Sequence, residues 1–160
     1  MPVYVWPTVP ALSTDAIEAF LARPLVAHIA TAGPTVRPVW YLWEDGAFWI
    51  LTGPWSKLSA RVQRAPAVAI VVDVCDLVTG ETVQVIAKGE AELLSFDTAR
   101  GFRKLSRYLG PDESNWDRRF RSYLRDDPET KGTRWLRVTP TLLTGNDFSF
   151  SAQGSHHRKT

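Results

Sequence analysis

The residues with the clearest chemical potential are Ser56 and Lys57, which follow a predicted strand and open a predicted helix. A hydroxyl and a lysine at a helix start can bind phosphate, because the first backbone N–H groups of a helix lack internal partners. Arg61 lies four residues further along the same helical face, where it either assists with the phosphate or is a plain surface residue. The sequence thus predicts an anion site at residues 56–61.

The segment before these residues reads as a β-hairpin rich in aromatic and β-branched side chains. Its strands are predicted at residues 36–43 and 47–52, with the turn at residues 44–46. Such a surface suits a flat ligand, and a phosphate joined to a flat ring system describes a flavin nucleotide. The plainer alternative is that Arg37, Ser56 and Lys57 are ordinary surface residues of a β-barrel, and that Thr52 only ends a strand.

Two short motifs carry a family resemblance. Residues 37–40 (Arg-Pro-Val-Trp) and residues 52–57 (Thr-Gly-Pro-Trp-Ser-Lys) resemble the flavin-binding hairpin of the pyridoxamine 5'-phosphate oxidase-like split-barrel family. The similarity of layout extends from about Phe20 to Val138. The chain departs from the vitamin-oxidising members at Leu58, where they have a second basic residue. It also lacks their long C-terminal substrate motif, so their substrate is not carried over.

The resemblance implies a mainly β fold with peripheral helices, a six-stranded split β-barrel that binds FMN at the interface of a homodimer. The ring would lie along residues 38–41, Leu51 and Thr52 would border the ring and ribityl chain, and Ser56 and Lys57 would hold the phosphate. Together with Arg61, the candidate cofactor-binding residues are Arg37, Pro38, Val39, Trp40, Tyr41, Leu51, Thr52, Ser56, Lys57 and Arg61.

The implied activity is hydride transfer between the flavin and a small organic substrate. The cofactor carries out that chemistry itself, so no acid–base pair is required and no catalytic residue is assigned. Residues 38–41 (Pro-Val-Trp-Tyr) also look somewhat like the branch that uses the deazaflavin coenzyme F-420. A deazaflavin-dependent reductase is therefore the alternative, and non-enzymatic flavin or haem binding also fits the motifs.

Length and composition favour one domain of residues 1–148, followed by a mobile basic tail of residues 149–160. The net charge of +2 argues against nucleic acid as a partner. No apolar run approaches the ~20 residues that a membrane span needs, and the N-terminus does not resemble a signal peptide. The single cysteine, Cys75, is expected to be packed at a strand end and fits a reducing cytoplasm.

The hydrophobic pattern predicts six strands and four helices. A helix capped by Ser13 or Thr14 comes first, and Lys88-Gly89 is expected to interrupt the longest strand with a bulge. The strands are predicted at residues 25–31, 36–43, 47–52, 67–74, 82–94 and 135–138. The later helices are predicted at residues 55–64, 96–109 and 112–127.

Other residues that could carry chemistry have weaker patterns. His28, His156 and His157 lack metal-ligand spacing, so no metal is expected. Eight basic residues between Arg100 and Arg125 form either solvated helix faces or an anion-attracting rim for an acidic substrate. Three tryptophans beside the predicted site form either a substrate face or part of the core. They are Trp40, Trp43 and Trp55.

Overall fold

The computed structural model describes residues 8–126, 128 and 131–151. Six antiparallel strands join in the order β1-β2-β3-β6-β5-β4 and close into a barrel, which confirms the predicted fold. The strands are β1 (Val26–Thr31), β2 (Thr35–Glu44), β3 (Ala47–Thr52), β4 (Ala67–Cys75), β5 (Thr82–Ser95) and β6 (Arg134–Asp147). The helices are α1 (Thr14–Leu21), α2 (Leu58–Arg64), α3 (Thr98–Leu109) and α4 (Arg118–Arg125), with a short 3-10 helix at Glu113–Asn115.

The barrel interior is the main hydrophobic core. Alternate residues of each strand point inward, so Ala27 and Ile29 of β1 are fully buried while His28 between them is exposed. Tyr41 and Phe48 fill the interior from β2 and β3, and Leu58 adds an apolar contact from α2. The alternation explains the strand predictions, because one face of each strand had to be buried.

Two backbone features follow the sequence closely. Asp45 and Gly46 both have positive φ (55° and 67°), the conformation that favours a tight hairpin with the right twist. The ladder between β5 and β6 shifts register between Lys88 and Gly89. A Cβ at Gly89 would come within 2.5 Å of the Thr139 carbonyl oxygen, so the bulge requires glycine there.

Several predicted boundaries were wrong. Helix α2 begins at Leu58, because the Ser56 N–H instead bonds the Gly53 carbonyl oxygen (3.0 Å) in a turn. Strand β6 extends to Asp147, since β5 continues to pair with it far beyond the predicted end. The segment predicted as one helix over residues 112–127 is a 3-10 helix followed by α4.

The cysteine differs from expectation, and most of the predicted tail lies outside the described residues. The Phe150 N–H bonds the Gly80 carbonyl oxygen (3.0 Å), so residues 149 and 150 lie along the start of β5. Residues 152–160, including His156 and His157, lie outside the described residues. Cys75 is exposed rather than packed, because its side chain is on the outer face of β4. No helix in the described part of the chain is long and apolar enough to cross a membrane.

Helices α3 and α4 cover part of the outer face of β2. The Trp40 ring stacks on Tyr108 of α3, with 4.4 Å between centroids and 3° between planes. The Trp40 ring also stacks on Phe120 of α4, with 5.5 Å between the ring centroids. The helices therefore cover part of the Trp40 side chain, which an isolated strand would expose.

Candidate functional site

The barrel has an open seam between β2 and β3. Strand β2 pairs with β1 over residues 35–40, but it pairs with β3 only over residues 41–44. The end of β3, at Leu51 and Thr52, pairs with β6 and has no partner on β2. Two strand edges with no strand neighbour among the described residues therefore face the same seam. Their backbone groups are available to hydrogen-bond a ligand.

A side-chain hydrogen bond joins the two predicted motifs at this seam. The Arg37 guanidinium donates from Nη1 to the Ser56 Oγ at 2.7 Å. The same Oγ accepts the Leu58 N–H at 3.1 Å, which fixes the hydroxyl at the first turn of α2. Residues that are nineteen positions apart in the chain thus form one polar cluster, which supports the pairing of the two motifs.

Positive charge accumulates beside that cluster. Lys57, Arg61 and Arg64 line a small hollow of about 210 Å³ on one side of α2. None of them forms an ion pair with any described residue. The Arg61 Nε is buried and has no hydrogen-bond partner in the described part of the chain. A buried donor without a partner carries a free-energy cost that a bound anion would relieve.

The remaining candidate residues differ in what they offer. Pro38 is exposed at the seam and Val39 packs against the core. The Thr52 side chain is fully buried, and its hydroxyl lies 3.1 Å from the Ser59 Oγ, so only its backbone remains for a ligand. Leu51 packs against the outer cluster of Leu42, Ala47, Trp49 and Trp135.

Neither Trp40 nor Tyr41 offers its side chain to a ligand, and the Tyr41 backbone groups are already bonded to the Tyr108 hydroxyl. Trp40 lies beneath Tyr108, and the Tyr41 ring is fully buried in the barrel. Burial raises the pKa of the Tyr41 hydroxyl well above its ordinary value, so this group stays protonated and is not an acid–base candidate.

Sequence reasoning missed the role of Tyr108, which hydrogen-bonds the backbone of β2 and of the residue before β1. Its hydroxyl lies 2.8 Å from the Leu25 carbonyl oxygen and 3.0 Å from the Tyr41 carbonyl oxygen, and it accepts the Tyr41 N–H at 3.1 Å. It therefore continues the β1–β2 ladder where the two strands separate. A tyrosine on a helix gives no sequence signal for such a role, because the contact joins residues 67 and 83 positions apart.

The three tryptophans considered as a substrate face separate into two groups. Trp40 is covered, and Trp43 is buried with its Nε1 donating to the Glu18 carboxylate. Trp55 is different, because 53% of it remains exposed. Two cavities adjoin its loop. One is a cleft of about 560 Å³ that includes Gly53, Pro54 and Ser56, and the other is a recess of about 430 Å³ that includes Trp55 itself.

Four of the seven arginines of α3 and α4 are paired with carboxylates, while the Arg107 Nη2 is buried without a hydrogen-bond partner among the described residues. Arg100 and Arg103 donate to the Glu44 carboxylate, and Arg125 donates to that of Glu113. The two bonds to the Glu44 carboxylate lower its pKa, with the bond from Arg103 as the main cause. Paired guanidiniums attract an anion weakly, so the expected anion-attracting rim is not supported at these positions. No cluster of three or more potential metal ligands occurs among the described residues.

The comparisons with known proteins agree with this geometry. The family model of pyridoxamine 5'-phosphate oxidase matches residues 13–145. The chain therefore belongs to the pyridoxamine 5'-phosphate oxidase family, and its fold is the FMN-binding split barrel. No curated protein matches the chain.

Solved structures support the fold at low sequence identity. A conserved hypothetical protein from Mycobacterium tuberculosis is 20% identical, with a TM-score of 0.67 and 85% of each chain covered. A FAD-binding protein from Mesorhizobium loti is 17% identical, with a TM-score of 0.63 over 88% of this chain and 99% of that one. A structure described as an F-420 reductase is 22% identical, with a TM-score of 0.54 over 79% of this chain and 94% of that one.

Proposed function

We propose that this protein is an oxidoreductase that binds a phosphate-bearing flavin, FMN in the first instance, at the seam between β2 and β3. The main support is the coincidence of open strand edges with an unpaired basic cluster on α2. A flat ring can hydrogen-bond the free backbone edges while its phosphate meets Ser56, Lys57 and Arg61. The Arg61 Nε, which is buried without a hydrogen-bond partner among the described residues, favours an anion at this site over the plain surface-residue alternative.

In this proposal the protein positions the cofactor and the substrate, and the cofactor carries out the reaction. Bound flavin supplies hydride exchange with a small organic substrate, and the chain supplies position and exclusion of water. Arg37 holds Ser56 in place through the 2.7 Å bond, and the Ser56 hydroxyl can donate its proton to a phosphate oxygen. Lys57 provides charge-assisted hydrogen bonds at the mouth of the same site.

The deazaflavin coenzyme F-420 is the alternative within the same site. The structural neighbours include both FAD-binding proteins and an F-420 reductase, and all of them share the barrel. A deazaflavin also carries a phosphate, so the basic cluster serves either cofactor. The absorption spectrum of the freshly purified protein, with mass spectrometry of the released compound, separates FMN, the deazaflavin and haem.

We further propose that two copies of the chain complete the site. Val36 is 68% exposed beside the open edge of β2, and an apolar residue in that position favours a covering surface. A homodimer in which the second copy closes the seam would provide it. Light scattering should show a dimer at micromolar concentration, and a monomer with full cofactor binding would contradict the proposal.

The phosphate contact is tested by comparing FMN with riboflavin, which lacks the phosphate. Lys57→Ala should weaken FMN binding by about 1.5–3 kcal/mol, or roughly ten- to a hundredfold, because a charge-assisted contact is lost. Ser56→Ala should cost about 0.5–1.5 kcal/mol, since a neutral hydroxyl contributes less. Riboflavin affinity should be unchanged in both variants.

The matched control is Lys88→Ala, which removes an exposed lysine on β5 away from the seam. It should leave the affinities of both ligands unchanged. Equal losses of FMN and riboflavin in Lys57→Ala would mean that this lysine shapes the fold and not the phosphate site. Whether the protein is an enzyme is tested separately, by reduction and reoxidation of the bound cofactor with a second compound.

A further inference from the structure

Trp55 presents an exposed ring that is nevertheless held in place. Its indole lies against the backbone of Gly53, where a Cβ would clash with the ring. On its other side the ring contacts Tyr123 of α4, with 5.5 Å between centroids and 56° between planes. Even so, 53% of Trp55 and 37% of Tyr123 remain exposed. Two fixed and half-exposed rings form a stacking surface for another flat group.

These rings line the recess of about 430 Å³, which lies within the usual size range of small-molecule sites. Pro54 and Pro128 add apolar surface. Arg119 also lines the recess, but it is occupied by Asp117 at 3.0 and 3.1 Å. The other polar lining groups have no hydrogen bond or ion pair with any described residue. They are the Ser122 hydroxyl, the Asp126 carboxylate and the Lys131 ammonium.

The recess and the proposed phosphate site lie on the same short loop. Trp55 directly precedes Ser56, and the turn is closed by the 3.0 Å bond from the Ser56 N–H to the Gly53 carbonyl oxygen. Pro54 lines both the recess and the cleft that includes Ser56. A ligand whose phosphate lies at Ser56 therefore has an aromatic recess on the same loop.

We propose that this recess binds the adenine ring of a dinucleotide flavin, so that FAD is held more tightly than FMN. The inference rests on the proposed flavin function and adds the second half of the ligand. Adenine stacks on Trp55 and Tyr123, and the Asp126 carboxylate accepts from its exocyclic amino group. Lys131 supplies the charge for the second phosphate, which FMN lacks.

The test is a titration of the protein with FAD, FMN and riboflavin, followed by flavin fluorescence. Stacking of one base on aromatic side chains predicts FAD affinity at least about tenfold above that of FMN. Trp55→Ala should remove most of this advantage and leave FMN affinity unchanged. Trp55→Phe should retain much of it, because a flat ring remains. Tyr123→Leu gives a second variant on another element, with the same expected selectivity.

The control is Phe148→Ala, which removes an exposed aromatic ring outside the recess and should not change the ratio of affinities. Equal affinity of the wild type for FAD and FMN would overturn the inference while leaving the proposed function intact. Equal loss of FAD and FMN in Trp55→Ala would overturn it as well, since the ring would then serve the part that both ligands share. Failure of all three flavins to bind would overturn the proposed function itself.

Discussion

Two groups of basic side chains in this molecule have the same chemistry and opposite surroundings. On α3 and α4, Arg100 and Arg103 share the Glu44 carboxylate, and Arg125 bonds Glu113. Around α2, no carboxylate of the described residues pairs with the basic residues. These are Arg37, Lys57, Arg61 and Arg64. The first group uses its charge to hold α3 to the end of β2 and α4 to the 3-10 helix, and the second leaves its charge available for a ligand.

The contact of α3 with the β2–β3 hairpin shows that the paired arginines serve to hold the structure together. The Arg100 guanidinium lies 3.6 Å from the centroid of the Trp49 ring while it also bonds Glu44. Its side chain is only 17% exposed. An arginine that is stacked, paired and mostly covered is a structural element. The difference between the groups is therefore the number of partners and not the type of residue.

One lysine interrupts this contrast. Lys104 directly follows the paired Arg103 on α3, yet it is 6% exposed and has no partner within the described residues. Burial lowers its pKa to about 8. Because the unfolded chain keeps the ordinary value, holding this amine protonated in the folded state costs about 2–4 kcal/mol. Lys104→Met should therefore stabilise the protein by roughly 2–3 kcal/mol at pH 7, measured by urea denaturation.

The pH dependence checks the same point. The cost is fully present well below pH 8, where both states are protonated. It is relieved as the pH rises from about 8 toward the unfolded value, because only the folded state then loses its proton. Wild-type stability should rise between pH 7.5 and 9.5, and this rise should be absent in Lys104→Met. The exposed control Lys88→Met should keep it, and a flat wild-type profile would show that the Lys104 amine is solvated.

A smaller effect is expected from replacing one arginine in each of the two groups. Arg61→Gln should weaken FMN binding by roughly three- to tenfold, because an unpaired guanidinium at the proposed phosphate is lost. Arg103→Gln should leave FMN affinity unchanged, since Arg103 already bonds Glu44. Calorimetric titration measures both affinities. Equal sensitivity of FMN to the two variants would remove the distinction between the groups.

The smallest effect is expected from replacing Glu44, the carboxylate that Arg100 and Arg103 share. Glu44→Gln should lower the free energy of unfolding by about 1 kcal/mol at pH 7, because Arg103 loses its charged partner and Arg100 keeps only Asp97. The pKa of Glu44 is below its ordinary value, so the stabilisation is present above that value and lost as the pH falls through the folded-state pKa. The difference between wild type and variant should shrink toward pH 3. A difference that persists there would point to packing rather than charge.

The sequence determined much of this protein by local rules. Alternation of apolar residues located the strands, the Asp45-Gly46 pair set the hairpin, and Gly89 marked the bulge. It also located the motif of Ser56 and Lys57, because adjacent residues stay adjacent in any fold. The start of α2 was missed, since the competing bond from the Ser56 N–H to Gly53 depends on the turn that the packed loop adopts.

Tertiary structure decided which groups have partners. Arg61 and Arg103 are indistinguishable by residue type, and only the folded chain places Glu44 beside the second and no carboxylate of the described residues beside the first. Trp40 and Trp55 likewise cannot be distinguished from the sequence. Only the packing of α3 places Tyr108 over Trp40 and leaves Trp55 half-exposed. Local patterns follow from backbone geometry over a few residues. The pairing of charges and the covering of rings depend on contacts between segments tens of residues apart, which single-sequence periodicity does not encode.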